Sequence, residues 1–379
     1  MPSPRGSGAD QAFIRAHNAQ AALRILRHTG TPVTLTQLAR TAGLSRPTVE
    51  SVLADLTARG WVVELPPDDG VMGRPARRFR FDAAAGHAVG LDIGMGKALA
   101  IVTDLDGRVV GSTRRTLSDG LSGPNRLTLA GDLVDECLRQ AGIASPSLWA
   151  LTVGLPGLMD RTGRMTRSTV LPGLTGVNLS GYFADRFGCR VRAENDANLA
   201  TLAEHWHGCA QHVDDVVYVL AGRRTGAGMI IGGRLHRGPN GAAGELGALR
   251  MLGWWDAPGD LEGHGADAEA VFDAAPADPR AQQAVLAYAA ALSNGIAALV
   301  LTLDPDLIVI GGGLSQAGDR LLGPLRRHLA ETCLTTPRIE MSVLGDESVA
   351  LGAVRTALDL IDEEVFDAGL RLQSPPDMP

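Results

Sequence analysis

Two sets of residues in this 379-residue chain carry side chains whose types and spacing could do chemistry. The first is Arg46, Pro47, Thr48, Glu50 and Ser51. A guanidinium, two hydroxyls and a carboxylate crowd the opening turns of one predicted helix, where donors and acceptors meet base edges in a major groove. The second is a series of glycine-bearing strand ends: Asp92-Ile93-Gly94, Gly222 to Gly228, and Gly311-Gly312-Gly313. Bare backbone at such ends can approach phosphates or polar ligands, although each one alone also matches an ordinary turn.

The first set needs a rigid mount, and residues 34–60 supply one. Leu35, Leu38 and Ala39 form the apolar face of a short helix, and Gly43 permits a sharp turn after it. Ser45 can cap a second helix, and Pro47 fits its first turn, where a missing N–H costs nothing. Val49, Val52, Leu53 and Leu56 recur at helical spacing and predict its buried stripe. An ordinary helical hairpin is the alternative, but turn, cap and exposed polar face agree on helix-turn-helix. A preceding helix is expected from a cap at about Asn18 to His28, after a disordered tail over residues 1–15. Trp61-Val62-Val63-Glu64 and Arg78-Phe79-Arg80-Phe81 predict the strands of a wing. Arg74, in Gly73-Arg74-Pro75 at the wing tip, is placed to enter a minor groove, with a solvated loop charge as the alternative.

Charge is divided along the chain in the same way. Residues 1–85 hold 11 Arg against 7 Asp or Glu, whereas the remainder holds 24 basic and 35 acidic residues. A basic head on an acidic body fits phosphate binding by the head alone. The 4 cysteines show no paired spacing, which favours reduced thiols. No secretory h-region opens the sequence and no run of about 18 apolar residues is evident, so a cytoplasmic protein without membrane contact is expected. From Gly86 onward, strands and helices alternate, which argues for α/β lobes. Domain boundaries are expected at 16–85 for the winged head, 86–198 and 199–348 for two lobes, with a helix over 349–365 completing the first, and a tail at 366–379.

The glycine-bearing ends fall in one order with Gly154-Leu155-Pro156-Gly157, Glu194-Asn195-Asp196-Ala197-Asn198 and Gly244-Glu245-Leu246-Gly247. Behind a winged helix, this ordered set resembles the ROK family of repressors and sugar kinases, over residues from about 15 to 365. The head resembles that of the sugar-responsive repressor branch in its GLSRPTV and GRP segments. The resemblance implies a two-lobed, actin-like or hexokinase-like α/β body closing over a cleft. It also implies an effector site built from Gly157, Asn195, Asp196, Glu245 and Glu262. Asp196 matches the family kinases' general base, with Asn195 as a neighbouring donor that holds substrate. A helix N-cap is the plain alternative for Asp196, and the two roles are compatible.

Departures from the family pattern bear on chemistry. In Asp92-Ile93-Gly94-Met95-Gly96-Lys97 the family threonine is missing. In Gly222-Arg223-Arg224-Thr225-Gly226 two arginines replace small residues, so these loops read as vestigial phosphate loops. Phosphoryl transfer depends on positioning and charge stabilisation, which a blocked loop denies; an arginine there could instead bind an anionic ligand such as a sugar phosphate. The family's metal-binding histidine is Ala248 here, and residues 249–263 hold no cysteine, so no zinc and no other cofactor is expected. Trp254-Trp255 stands in that loop and is expected to pack it, with stacking on a ligand ring as the alternative. The sequence thus predicts a winged helix-turn-helix regulator, most simply a repressor, and no catalytic residues. Its expected partners are double-stranded operator DNA, a sugar or sugar-phosphate effector, and one or three further copies of itself. An effector-independent regulator and, behind it, an ATP-dependent sugar kinase are the other readings.

Overall fold

The computed structural model describes residues 7–66, 76–118, 120–222, 224–262 and 268–363. The head comprises α1 (Ser7–Thr29), β1 (Val33–Thr34), α2 (Leu35–Ala42), α3 (Arg46–Ala58), β2 (Val62–Leu65) and β3 (Arg78–Phe81), with the strands ordered β1-β3-β2. Local chemistry sets each boundary. Thr34 and Gln37 exchange a reciprocal capping box at the start of α2, and Gly43 ends it in the left-handed region at φ 65°. Ser45 accepts the Thr48 N–H at 3.3 Å to cap α3, while Val49, Val52, Leu53 and Leu56 are buried.

The expected tail and cap at the N-terminus are corrected. Helix α1 begins at Ser7 and carries residues 7–15, so Asn18 lies in its interior. The stretch AFIRAHNAQAALR is rich in good helix formers, and nothing in it breaks a helix. Arg74 and the wing tip lie outside the described residues, as does the predicted tail at 366–379.

Two five-stranded sheets form the body. The first lobe contains β4 (His87–Ile93), β5 (Lys97–Asp104), β6 (Val109–Thr116), α4 (Gly123–Gln140), β7 (Leu148–Leu155), a ribbon of β8 (Leu158–Met159) and β9 (Met165–Arg167), α5 (Leu179–Phe187), β10 (Arg190–Asn195) and α6 (Asp196–His207). The second contains β11 (Val216–Leu220), β12 (Gly226–Ile231), β13 (Arg234–Leu235), α7 (Ala257–Glu262), α8 (Ala268–Ala274), α9 (Pro279–Leu303), β14 (Leu307–Gly311), α10 (Asp319–Thr332) and β15 (Arg338–Met341), followed by α11 (Ser348–Asp362). The sheet orders are β10-β7-β4-β5-β6 and β13-β12-β11-β14-β15. In each, three antiparallel strands come first in sequence and two parallel strands extend the other edge. The body is therefore a duplicated topology that no short-period sequence repeat announces. The lobe boundary expected at 198/199 falls inside α6, which packs on both β12 and α11.

Helix α9 qualifies the expectation about apolar runs. It is long and apolar enough by length and composition to cross a membrane. Tyr288, Leu292, Ile296 and Val300 nevertheless bury one face of it in the core of the second lobe.

Helix α11 does most to position the site. Its backbone lies so close to the first sheet that a Cβ on Gly90 would sit 2.1 Å from the Ala350 carbonyl oxygen. Its far end joins the head. Leu358, Leu360 and Ile361 share one buried cluster with Leu23, Leu26, Trp61 and Phe81. Arg27 pairs with Asp362 and donates to the Leu105 carbonyl at 2.9 Å. The Trp61 and Trp149 rings meet edge to face at 4.9 Å, and a Cβ on Gly86 would lie 2.6 Å from the Trp149 ring. Burial of this kind stabilises by about 25 cal/mol per Å² of apolar area, which welds head to body rather than tethering it.

Candidate functional site: a recognition helix and an interlobe cleft

On the head, Arg46, Pro47, Glu50 and Ser51 are exposed at the N-terminal end of α3, free of the buried stripe. Thr48 is half-buried, and its hydroxyl lies 2.8 Å from the Ser45 hydroxyl, so it serves the cap. Arg77 is a residue that sequence reasoning missed. Its guanidinium makes two bonds to Glu64, lies over the Phe79 ring at 5.3 Å and comes within 4.0 Å of Glu50. It thereby ties the wing strands to the recognition helix. Its only sequence signal was adjacency to Arg78.

In the body, the glycine-bearing loops converge. Gly222 faces the Gly313 amide, 3.7 Å from where a Cβ would lie, and a Cβ on Gly226 would meet that of Ala197 at 3.4 Å. A Cβ on Gly244 would fall 2.2 Å from the Ala227 carbonyl oxygen, and Gly244 holds φ 87°, so only glycine lets the Glu245 turn close on β12. Gly157 likewise adopts φ 153° against Arg167 and Ser168.

Three carboxylates gather at this convergence. Burial raises the Asp92 carboxyl to about 7; Lys97, 3.9 Å away, opposes that rise, and Asp196 adds to it. Burial also raises Asp196 to about 6, against the Ala197 N–H that its Oδ1 accepts at 2.9 Å and with help from Glu245. Glu245 is itself pushed upward by burial and restrained by Arg167. Carboxyls whose proton affinity is raised in a shared cleft can both donate and accept hydrogen bonds, which suits a polyhydroxylated ligand. On the other side of Lys97, Asp346 is held down at about 2 by hydrogen bonds from Arg114, and Lys97 donates to its carbonyl at 2.7 Å.

The structure corrects two roles. Asn195, not Asp196, caps α6: its Oδ1 accepts the Asn198 N–H at 3.1 Å and its amide donates to the Gly157 carbonyl at 3.3 Å. Asn195 therefore ties the cleft loops together, with one of its two amide N–H groups engaged. The carbonyl lies just past the end of the neighbouring strand β7, 38 positions away in sequence, and spacing alone could not reveal that. Arg224 does not fill the phosphate loop either; it is exposed and its guanidinium lies 5.4 Å over the Trp255 ring. Arg223 and the Glu262 side chain lie outside the described residues. Gly94 keeps its turn by donating to the Lys97 carbonyl at 2.9 Å. Trp254 packs as expected, fully buried, with its indole N–H on the Leu292 carbonyl at 2.9 Å. Among the described residues no group of three His, Cys, Asp or Glu side chains is arranged to hold a metal ion.

Two further buried groups brace the site. Arg126, 1% exposed, donates to the carbonyls of Gly94 at 2.6 Å and Met95 at 2.8 Å, fixing the first glycine turn. Glu194 accepts the Asn195 N–H and the Asn198 amide, each at 2.9 Å, and pairs with Arg237 from the second lobe. Arg126 reaches the turn from α4 of the same lobe and Arg237 reaches Glu194 from the other, each remote in sequence, so local sequence gave no hint of either contact.

The Asp92 carboxyl yields a pH prediction. Its folded-state value lies above the ordinary 3.8, so the folded protein holds the proton more tightly than the unfolded chain. The stability it contributes is complete below about pH 4 and is lost as pH rises through about 7. Asp92→Asn is expected to flatten thermal melting between those limits and to gain about 1–4 kcal/mol at about pH 8. Parallel melting profiles for the two proteins would contradict this assignment.

Comparison with known proteins supplies the wider context. The ROK family profile matches residues 88–259 and 250–359, and an IclR helix-turn-helix domain profile matches residues 17–66. A putative xylose repressor of Caldicellulosiruptor sp. (strain Rt8B.4) is 26% identical over 389 residues, spanning 91% of this chain and 96% of its own. A solved ROK family transcriptional regulator, described as a homologue of the E. coli MLC protein, superposes with TM-score 0.68 at 19% identity, covering 91% of this chain and 97% of its own. A Streptomyces griseus ROK family glucokinase, solved with glucose and AMPPNP, gives 0.62 at 23% identity, covering 72% and 100%. The two structures share the fold; the regulator's match covers more of this chain than the glucokinase's does.

Proposed function

The chain belongs to the ROK family, and from that premise we propose that it is a DNA-binding transcriptional repressor whose two-lobed body senses a sugar-like effector. One observation carries this reading: α11 starts beside the cleft and ends in the core of the head. Its first turn follows Asp346, which Lys97 and Arg114 hold near Asp92, and its last turn carries the Asp362 pair with Arg27. Any lobe movement that shifts α11 must therefore be felt at α1 and the recognition helix. The near-full-length similarity to a putative xylose repressor supports the same function.

Effector binding acts by favouring one lobe arrangement over another. A difference of about 1–3 kcal/mol between the two arrangements gives a useful switch. The effector's hydroxyls meet Asp196 and Glu245, and operator half-sites are read by paired heads of a homodimer or homotetramer in the cytoplasm. The body is a sensor rather than an enzyme. Asp196 survives at the kinase base position, but the first phosphate loop lacks the family threonine, with Gly96 standing before Lys97.

The test pairs Asp196→Asn with an ATP-turnover assay on the purified protein. Sugar-dependent ATP hydrolysis is expected to stay at background for both proteins, with the variant binding operator normally and responding at least about tenfold less to effector. Turnover that depends on Asp196 would replace the sensor with a kinase.

A further inference from the structure

Glu194 is a buried carboxylate whose counter-charge comes from the opposite lobe. Its side chain is 7% exposed, and its Oε2 pairs with the Arg237 guanidinium. Its Oε1 accepts the Asn195 N–H and the Asn198 amide, each at 2.9 Å, and so holds the turn that presents Asp196. Arg237 is mounted on the second sheet, where the neighbouring His236 N–H donates to the Met229 carbonyl at 2.8 Å. Lobe separation therefore strips a buried carboxylate of its cation, which costs far more than losing an exposed pair. A second cation stands ready to take it over. Arg192 lies two residues before Glu194 on β10, so the two side chains leave the same face of the strand roughly 6.6 Å apart. Arg192 is half-buried and makes no ion pair among the described residues. Arg192, Glu194 and Arg237 all line one groove of about 1150 Å³ between β10, the β8–β9 ribbon and residues 237–242, which gives the carboxylate room to turn. Across that groove the lobes meet closely at Gly241, where a Cβ would lie 2.5 Å from the Met159 carbonyl oxygen.

We propose that Glu194 is a two-position switch on the effector site: paired with Arg237 while the lobes are together, it holds the Asn195–Asn198 turn, and paired with Arg192 when they part, it lets that turn go. Arg237 is thus a positioning residue, acting on Asp196 through Glu194 and not by touching the effector. An effector held between Asp196 and Glu245 favours the first position and with it lobe closure. The switch rests on the sensing reading above and names how that site is regulated.

Hydrogen exchange read by mass spectrometry on the full chain tests the switch without a ligand. Peptides covering residues 190–199 and 236–243 report the two sides of the pair. Arg237→Gln is expected to speed exchange in both at least about tenfold. Arg192→Gln is expected to slow exchange in 190–199, because it removes the competing partner. Adding Glu194→Gln to Arg237→Gln should restore slow exchange, since the amide keeps the acceptor oxygen and carries no charge to strip. Arg237→Lys keeps the charge and is expected to exchange as slowly as the unaltered chain, which guards the result against a fold lost in Arg237→Gln. Effects of the same sign from the two arginine variants, or no restoration by Glu194→Gln, are what a merely structural pair gives, and either would overturn the switch. Operator binding that ignores effector alongside the expected exchange pattern would instead end the sensing reading and leave the switch standing.

Discussion

Arg46→Ala is expected to erase the preference for operator over random DNA while leaving the melting temperature unchanged. Arg46 is exposed at the start of α3, outside the buried stripe that holds the head together. A guanidinium contacting a base edge contributes about 1–3 kcal/mol of discrimination, or roughly 5- to 150-fold in relative affinity. Fluorescence anisotropy on specific and scrambled duplexes at fixed salt measures that ratio. Thr48→Ala is a poorer probe of the same face. Its hydroxyl is bonded to the Ser45 cap, so its loss would cost helix stability as well as any base contact. An unchanged operator preference in Arg46→Ala would remove α3 as the reading element.

Gly352→Ala is expected to damage the other end of the account. A Cβ at this position would fall 1.8 Å from the Leu199 carbonyl oxygen, an approach of backbone to backbone that no rotamer change can relieve. Leu199 lies in α6, one turn after Asp196, and Gly352 lies in α11 between the cleft and the head. The crossing is where the ligand-side helix meets the head-side helix. Separating them should destabilise the protein by about 1–3 kcal/mol and blunt the effector's influence on operator affinity. Urea unfolding reads the first effect, and operator titration with and without effector reads the second. Wild-type stability and response would mean that the two helices are not coupled at this contact.

Legibility in the sequence followed the locality of the cause. Helices α2 and α3 could be read because their signals are local: the Thr34–Gln37 box, Gly43, Ser45 and a stripe at helical spacing. The start of α1 could not, because Asn18 is a favourable cap in isolation but here sits inside a helix whose flanking residues continue it. Strands β4, β7, β11 and β14 announced themselves as apolar runs ending in glycine or a glycine turn. The equivalence of the two sheets was invisible, because it lies in strand order and not in residue identity. At the site, Asp196 and Glu245 were singled out by motif position, whereas the Asn195 bond to Gly157, the Arg126 brace and the Glu194–Arg237 tie depend on groups remote in sequence. Arg224 showed the same limit. Its charge was legible, but its direction was set by a tryptophan 31 positions along the chain, as numbered in the sequence.

The central claim is that one molecule reads DNA and that a small ligand alters the reading. Its most direct test is capture of fragmented genomic DNA from the source organism by the full-length protein, sequenced with and without small-molecule extract from the same cells. The account predicts a few strongly enriched sites bearing inverted half-sites, whose enrichment falls when extract is present. Enriched sites that are indifferent to extract across growth conditions would contradict the sensor, and no enrichment at all would contradict the repressor itself.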